Sequence, residues 1–338
     1  MKNNNKIALM REPAKVYRPF LFQWAHDAFF KQQSMHWLSS EIDFSRDRED
    51  YYNKLSELEQ KSVSRTLLFF TQMDVEVGKA YLDFFIPYFR NLEIRRMLAS
   101  FANIEQIHSE AYDKLARELN MPVESYDEFL KYKEMSDKYD YIHNIDVSND
   151  EEMAVAIGII SGALEGFVLY ASFALLFYFS AHRSDFGEPA LMGVGQIIEW
   201  SMRDESHHSA SMIRLFLEFC GNAEFTDEQM HRIHSKIQAA FADLVRLETN
   251  FIHFILKDGD LEGLTKVDLV NYIKYLADIR LRQMQINPIF GVESNPLHWM
   301  QETLFFKEVT NFFSNTPTTY TKGMKDQGDI SGAFDEFK

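Results

Sequence analysis

Glu105-Gln106-Ile107-His108-Ser109-Glu110-Ala111-Tyr112 is the stretch from which the fold can be read. On an α-helix, residues three and four apart share a face. Glu105 and His108 therefore project together, with Tyr112 one turn beyond His108. A carboxylate and an imidazole at this spacing can hold one metal ion from a single rigid helix. The spacing returns in Glu205-Ser206-His207-His208. A four-helix bundle that binds two ions takes a Glu-x-x-His from each of two helices and a lone carboxylate from each of the other two. Lone acids stand where that architecture needs them. Asp74 follows Leu67-Leu68-Phe69-Phe70-Thr71-Gln72-Met73, and Glu165 interrupts an otherwise apolar helix. Each precedes its Glu-x-x-His by about the length of a helical hairpin. The fold expected is all-α, a helical bundle with a dinuclear metal site formed by Asp74, Glu105, His108, Glu165, Glu205 and His208.

Four carboxylates and two imidazoles are hard or borderline donors, suited to iron or manganese. Their four negative charges offset two divalent ions, and six residues leave coordination positions open to oxygen. Without metal, four carboxylates in an apolar core are strongly unfavourable unless protonated. Glu228-Gln229-Met230-His231 has the same spacing but lies beside Asp227, Arg232 and His234, as a solvated helix face does. Asp204 and His207 form a competing acid–histidine pair. Helix phase favours Glu205, His208 and Met212, because Asp204 is turned about 100° from that face. Glu110 and Asp113 read as surface charges.

Composition narrows the functional classes. The 338 residues carry a net charge of −16, which argues against nucleic acid or an anionic membrane as partner. Thirty phenylalanines and 46% hydrophobic residues supply a large aromatic core, and 8 prolines leave room for long helices. The one cysteine, Cys220, excludes an internal disulfide and a multi-thiolate zinc site. The N-terminal stretch Met1-Lys2-Asn3-Asn4-Asn5-Lys6 lacks the apolar run of a signal peptide, so a cytoplasmic protein is expected. Residues 154–181 are long and apolar enough to span a bilayer. A carboxylate in mid-span is costly in lipid, and Glu165 favours a helix buried on all sides.

Helices are expected over about 19–37, from Ser56 toward Phe85, over 91–120, 126–138, 150–181, 191–219, 227–256 and 267–284. Ser56-Glu57-Leu58-Glu59 has the form of a capping box. The polar run 41–51 reads as a structured surface connection. Residues 316–338 have little to bury and form a tail.

With these residues in place the sequence resembles the small, radical-generating subunit of class I ribonucleotide reductase. The resemblance rests on Trp37 with Glu41-Ile42-Asp43-Phe44-Ser45-Arg46-Asp47-Arg48, on Glu105/His108/Tyr112 and on Ala163-Leu164-Glu165-Gly166-Phe167. It also rests on Arg203-Asp204-Glu205-Ser206-His207-His208, on Asn287-Pro288-Ile289-Phe290 and on Asn295-Pro296-Leu297-His298-Trp299. It implies a ferritin-like bundle over residues 1–315, a homodimer and two metal ions. Iron comes first, with manganese or a mixed manganese–iron pair as alternatives. The site would react with an oxygen species to make a one-electron oxidant used in deoxyribonucleotide synthesis.

The resemblance makes Tyr112 the stored radical, and Trp37 and Asp204 the inner transfer residues, with Asp204 on the outer nitrogen of His108. Tyr320 becomes the transfer tyrosine of a flexible tail, 316–338, that docks on the large catalytic subunit through Phe334 and Phe337. It leaves open the metal, the use of Tyr112 or the cluster to store the oxidant, the diphosphate or triphosphate substrate, and a flavoprotein activase. Two other readings of the residues are a ferritin-like oxidase of a lipid or small molecule, and a metal-storage protein. Tyr112 and the tail with Tyr320 weigh against the oxidase, and a storage protein does not need Trp37, Asp204 or an aromatic-ended tail.

Overall fold

The computed structural model describes residues 6–121, 131–185 and 187–301, so Tyr320, Phe334, Phe337 and the whole tail lie outside the described residues. Among the described residues all regular structure is helical, apart from one isolated bridge between Leu261 and Leu264. The helices are α1 (Lys6–Arg11), α2 (Gln23–Ser34), α3 (Asp47–Asn53), α4 (Glu57–Ala80), α5 (Ile86–Tyr88) and α6 (Leu92–Glu118). They continue with α7 (Lys133–His143), α8 (Asp150–Ile159), α9 (Tyr170–Ala181), α10 (Met192–Asn222), α11 (Asp227–Ile255) and α12 (Lys266–Gln283).

The sequence explains where the helices start. Ser56 and Glu59 exchange hydrogen bonds at the head of α4. The Asn91 side chain accepts from the amides of Glu93 and Ile94 at the head of α6, and Asn149 accepts from Glu152 at the head of α8. Each bond satisfies an amide that a helix N-terminus leaves without a partner. On α6, Ile94, Met97, Leu98, Phe101, Ile104, Glu105, His108, Tyr112 and Leu115 are buried, a stripe with helical period. Glu105 and His108 lie within that stripe, so the packing that buries it also buries them.

α4 pairs with α6, and the chain from α8 to α9 pairs with α10. These two hairpins face each other and enclose the core. α2 covers α6 and α10, while α11 and α12 cover the other side of the α8–α9 run. The run from Asp150 to Ala181 is apolar enough to cross a membrane, yet its most apolar window is 100% buried in the protein.

Two stretches depart from regular α-helix. Tyr81–Phe85 continues α4, and Ile160–Val168 joins α8 to α9, both with wide π-type turns. Such widenings occur often at functional sites, and the second one carries Glu165.

The polar run 41–51 is a structured connection with six exposed residues, but part of it is buried. It forms a short 3-10 turn, Ser39–Glu41, and α3. Asp47 and Asp50 on α3 are buried. Asp47 accepts from the amides of Gly193 and Val194 at 3.1 and 2.9 Å, and Asp50 from Leu191 at 3.2 Å. The two acids therefore satisfy the free amides at the start of α10 and oppose its positive end. A Cβ at Gly193 would lie 2.7 Å from the Asp43 carbonyl oxygen, so this close approach requires glycine. Asp278 plays a similar part in the loop after α12, accepting from Ile289, Phe290 and Gly291 at 2.7–3.0 Å.

Candidate metal centre

Asp74 comes from α4, Glu105 and His108 from α6, Glu165 from the widened turns, and Glu205 and His208 from α10. All six are at most 1% exposed. Their donor atoms form two overlapping groups, each within 4.8 Å: Asp74, Glu105, His108 and Glu205; and Glu105, Glu165, Glu205 and His208. Glu105 and Glu205 belong to both groups. Glu205 Oε1 lies 3.1 Å from His108 Nδ1, and Glu205 Oε2 lies 3.6 Å from His208 Nδ1. Glu105 presents Oε1 to His208 at 3.0 Å and Oε2 to His108 at 3.5 Å. Each shared carboxylate thus turns one oxygen toward each half of the site.

The donor set fits metal on a further observation. Asp74 Oδ2, Glu105 Oε1, Glu165 Oε2, both Glu205 oxygens and the Nδ1 atoms of His108 and His208 are buried without a hydrogen-bond partner. Buried polar atoms are nearly always satisfied. An inward-facing set of this kind is accounted for by cations.

Charge is costly in this core when no cation offsets it. Burial pushes the Asp74 carboxyl well above its usual range and raises Glu165 to about 7. Burial opposes charge on the imidazoles too, but the acids beside them win. Asp204, Glu105 and Glu205 raise His108, and Glu105, Glu165 and Glu205 raise His208. Protons can therefore take over part of the compensation that metal would supply.

A chain of polar contacts leads outward from His108. Its Nε2 lies 3.3 Å from Asp204 Oδ2, which also accepts from Trp37 Nε1 at 2.8 Å. Gln32 Nε2 donates to Asp204 Oδ1 at 3.3 Å, and Arg203 lies 3.5 Å from the same oxygen. Burial works against ionising Asp204, but His108 and Arg203 hold its carboxyl below the usual value. Trp37 stacks on His108 with ring centres 5.7 Å apart, and Trp200 lies 5.2 Å beyond.

Tyr112 is buried, packs edge-on against Phe70 at 4.4 Å and donates to Ser201 Oγ at 3.1 Å. His207 points away from the cluster. Its Nε2 lies 2.9 Å from the Ala28 carbonyl, and burial lowers its pKa to about 4. Glu228 and His231 are exposed, and Glu110 and Asp113 pair with Arg117 at the surface.

Sequence reasoning missed Tyr81, whose hydroxyl donates to Glu165 Oε1. A signal was present. Tyr81 follows Asp74 by two helical turns, which places both on one face.

Comparison with known proteins agrees with this architecture. The family model described as "Ribonucleotide reductase, small chain" matches residues 14–296. A probable ribonucleoside-diphosphate reductase small subunit of Invertebrate iridescent virus 3 is 33% identical, covering 91% of this chain and 84% of that relative. Two solved structures share the fold. The ribonucleotide reductase R2 subunit of Clostridium botulinum gives a TM-score of 0.74 at 18% identity, covering 86% of this chain and 91% of that one. The dimanganese(II)-NrdF of Streptococcus sanguinis gives 0.69 at 18% identity, covering 84% and 96%. The family match and the viral relative, each spanning most of the chain, lead to one conclusion: this protein belongs to the family of ribonucleotide reductase small chains.

Proposed function

We propose that the six buried side chains hold two metal ions, with Asp74 and His108 on one, Glu165 and His208 on the other, and Glu105 and Glu205 shared. The observation that carries this is the overlap of the two donor groups at those two glutamates. As a class I small subunit, the chain supports reduction of ribonucleotides by the large subunit, and its part is to provide the oxidising equivalent. When bound, the metal pair supplies the electrons that activate an oxygen species. Iron is the first choice and manganese the second. The Streptococcus sanguinis neighbour is named as dimanganese, which supports keeping manganese open.

The protein's own residues do the rest. Tyr112 stores the radical, and its phenolic proton points at Ser201 Oγ. Trp37 carries the oxidising equivalent outward, with Asp204 accepting from its indole nitrogen and orienting His108. Such outer carboxylates fix the ring and raise the basicity of a ligating imidazole. Tyr320 continues the path in a tail, 316–338, that docks on the large subunit by Phe334 and Phe337. The active form is a homodimer in the cytoplasm.

The test is reconstitution. The chain is loaded with iron(II) or manganese(II), and given dioxygen with or without a flavoprotein activase. It is then mixed with a class I large subunit, and ribonucleotide reduction is measured. Turnover that requires both chains and metal is the expected result. Oxidation of a lipid or small molecule without the large subunit, and no ribonucleotide reduction with it, would overturn the reading.

A further inference from the structure

Two buried tyrosines flank the metal-binding cluster, and their hydroxyls have different destinations. Tyr112, on α6, donates to Ser201, which is not among the six donors. Tyr81, at the start of the wide turns after α4, donates to Oε1 of Glu165. Tyr81 is fully buried, so this bond is not shared with water. Its ring lies edge-on to Phe101 at 6.0 Å and to His208 at 6.4 Å. Phe101 in turn covers His208 at 4.2 Å. The phenol is thus held at the Glu165–His208 half of the site by packing as well as by its hydrogen bond.

The two oxygens of Glu165 are unequal as a result. Oε1 accepts from Tyr81 and lies 3.6 Å from His208 Nδ1, while Oε2 is buried without a hydrogen-bond partner. A carboxylate can bind an ion through one oxygen or through both. A hydrogen bond from a buried hydroxyl to an ionised carboxylate is among the strong ones, and it draws on the electron density that a second metal bond would need. We propose that Tyr81 is a positioning residue that keeps Glu165 a one-oxygen ligand, with Oε1 tied to the phenol and Oε2 left for the ion. This preserves an open coordination position on that ion, as a metal that must take an incoming molecule requires. The wide turns contribute on both sides, since Tyr81 and Glu165 each lie within one.

The inference rests on the proposed ligand set, and the experiment separates the two. Manganese(II) is titrated into wild type, Tyr81→Phe and Tyr112→Phe, and free ion is followed by electron paramagnetic resonance. Wild type should bind two ions. In Tyr81→Phe, Oε1 is free to take the second metal bond, so one of the two dissociation constants should fall. Tyr112→Phe should leave both constants unchanged. Wild type binding fewer than two ions would sink the ligand set, and this inference with it. Two ions in wild type with both constants unaltered or higher in Tyr81→Phe would overturn only the role of Tyr81. A manganese-loaded crystal structure of wild type decides the matter even if the variant fails to fold. Oε1 on the Tyr81 hydroxyl and Oε2 on metal supports the assignment, and Glu165 chelating through both oxygens overturns it.

Discussion

Asp204 and Glu205 are neighbours on α10 with different environments. Glu205 faces the two imidazoles, while Asp204 faces Trp37, Gln32 and Arg203 and reaches His108 from behind. Consecutive residues on a helix are about 100° apart, so one short stretch can face the buried cluster and also hold Trp37 and His108 from behind it. Asp204→Asn keeps the shape but gives up the charge that draws in the Trp37 and His108 nitrogens. It should lower turnover with the large subunit about 10–100-fold, with two ions still bound, as metal analysis and a ribonucleotide reduction assay would show. Trp37→Phe removes the indole donor to Asp204 and should nearly abolish turnover at unchanged metal content. Wild-type turnover in that variant would take Trp37 off the path.

α10 needs α3. Its first amides have no partner within the helix, and Asp47 and Asp50 provide one from a distant part of the chain. Asp47→Ala should destabilise the protein by about 1–2 kcal/mol, the range of a lost helix cap, measured by denaturant unfolding. The same pair shows what the sequence leaves unread. A run as charged as 41–51 looks solvated when read alone. Its buried role depends on backbone donors near Leu191, which no local pattern announces. The wide turns at 81–85 and 160–168 were hidden for a related reason, because Glu165 shows the same composition in either helix type. By contrast, Glu105/His108 and Glu205/His208 were legible because their spacing matches the helical period and their neighbours are apolar. The positions of Asp74 and Glu165 followed once the bundle was assumed. Tyr81 had the right phase but lacked a reason to be singled out, since its partner lies across the bundle.

At the scale of the whole molecule, the cluster ties together four parts of the chain that are far apart in sequence. Metal that binds the folded form and not the unfolded one adds stability by mass action, about 2.7 kcal/mol per site at a hundredfold excess over the dissociation constant. Chelation should therefore lower the melting temperature, and re-addition of iron(II) or manganese(II) should restore it. A melting curve indifferent to metal would count against a site built across all four segments. Truncation before Thr316 should leave helix content and metal loading intact while removing turnover with the large subunit. A peptide of the last twenty residues should compete with the full chain, and one with Phe334→Ala and Phe337→Ala much less. The run from Asp150 to Ala181 also has a consequence before folding is complete. While the ribosome is still extending the chain, this segment has neither α10 nor α12 to cover it, and it is hydrophobic enough to be mistaken for cargo by the insertion machinery. An acidic residue near the centre of such a segment weighs against insertion by about 2.5–3.5 kcal/mol. Glu165, buried to 0% exposure in the finished protein, therefore also makes this segment a poorer membrane span before the bundle closes over it. Replacing it with Leu should increase insertion of the isolated segment into microsomes.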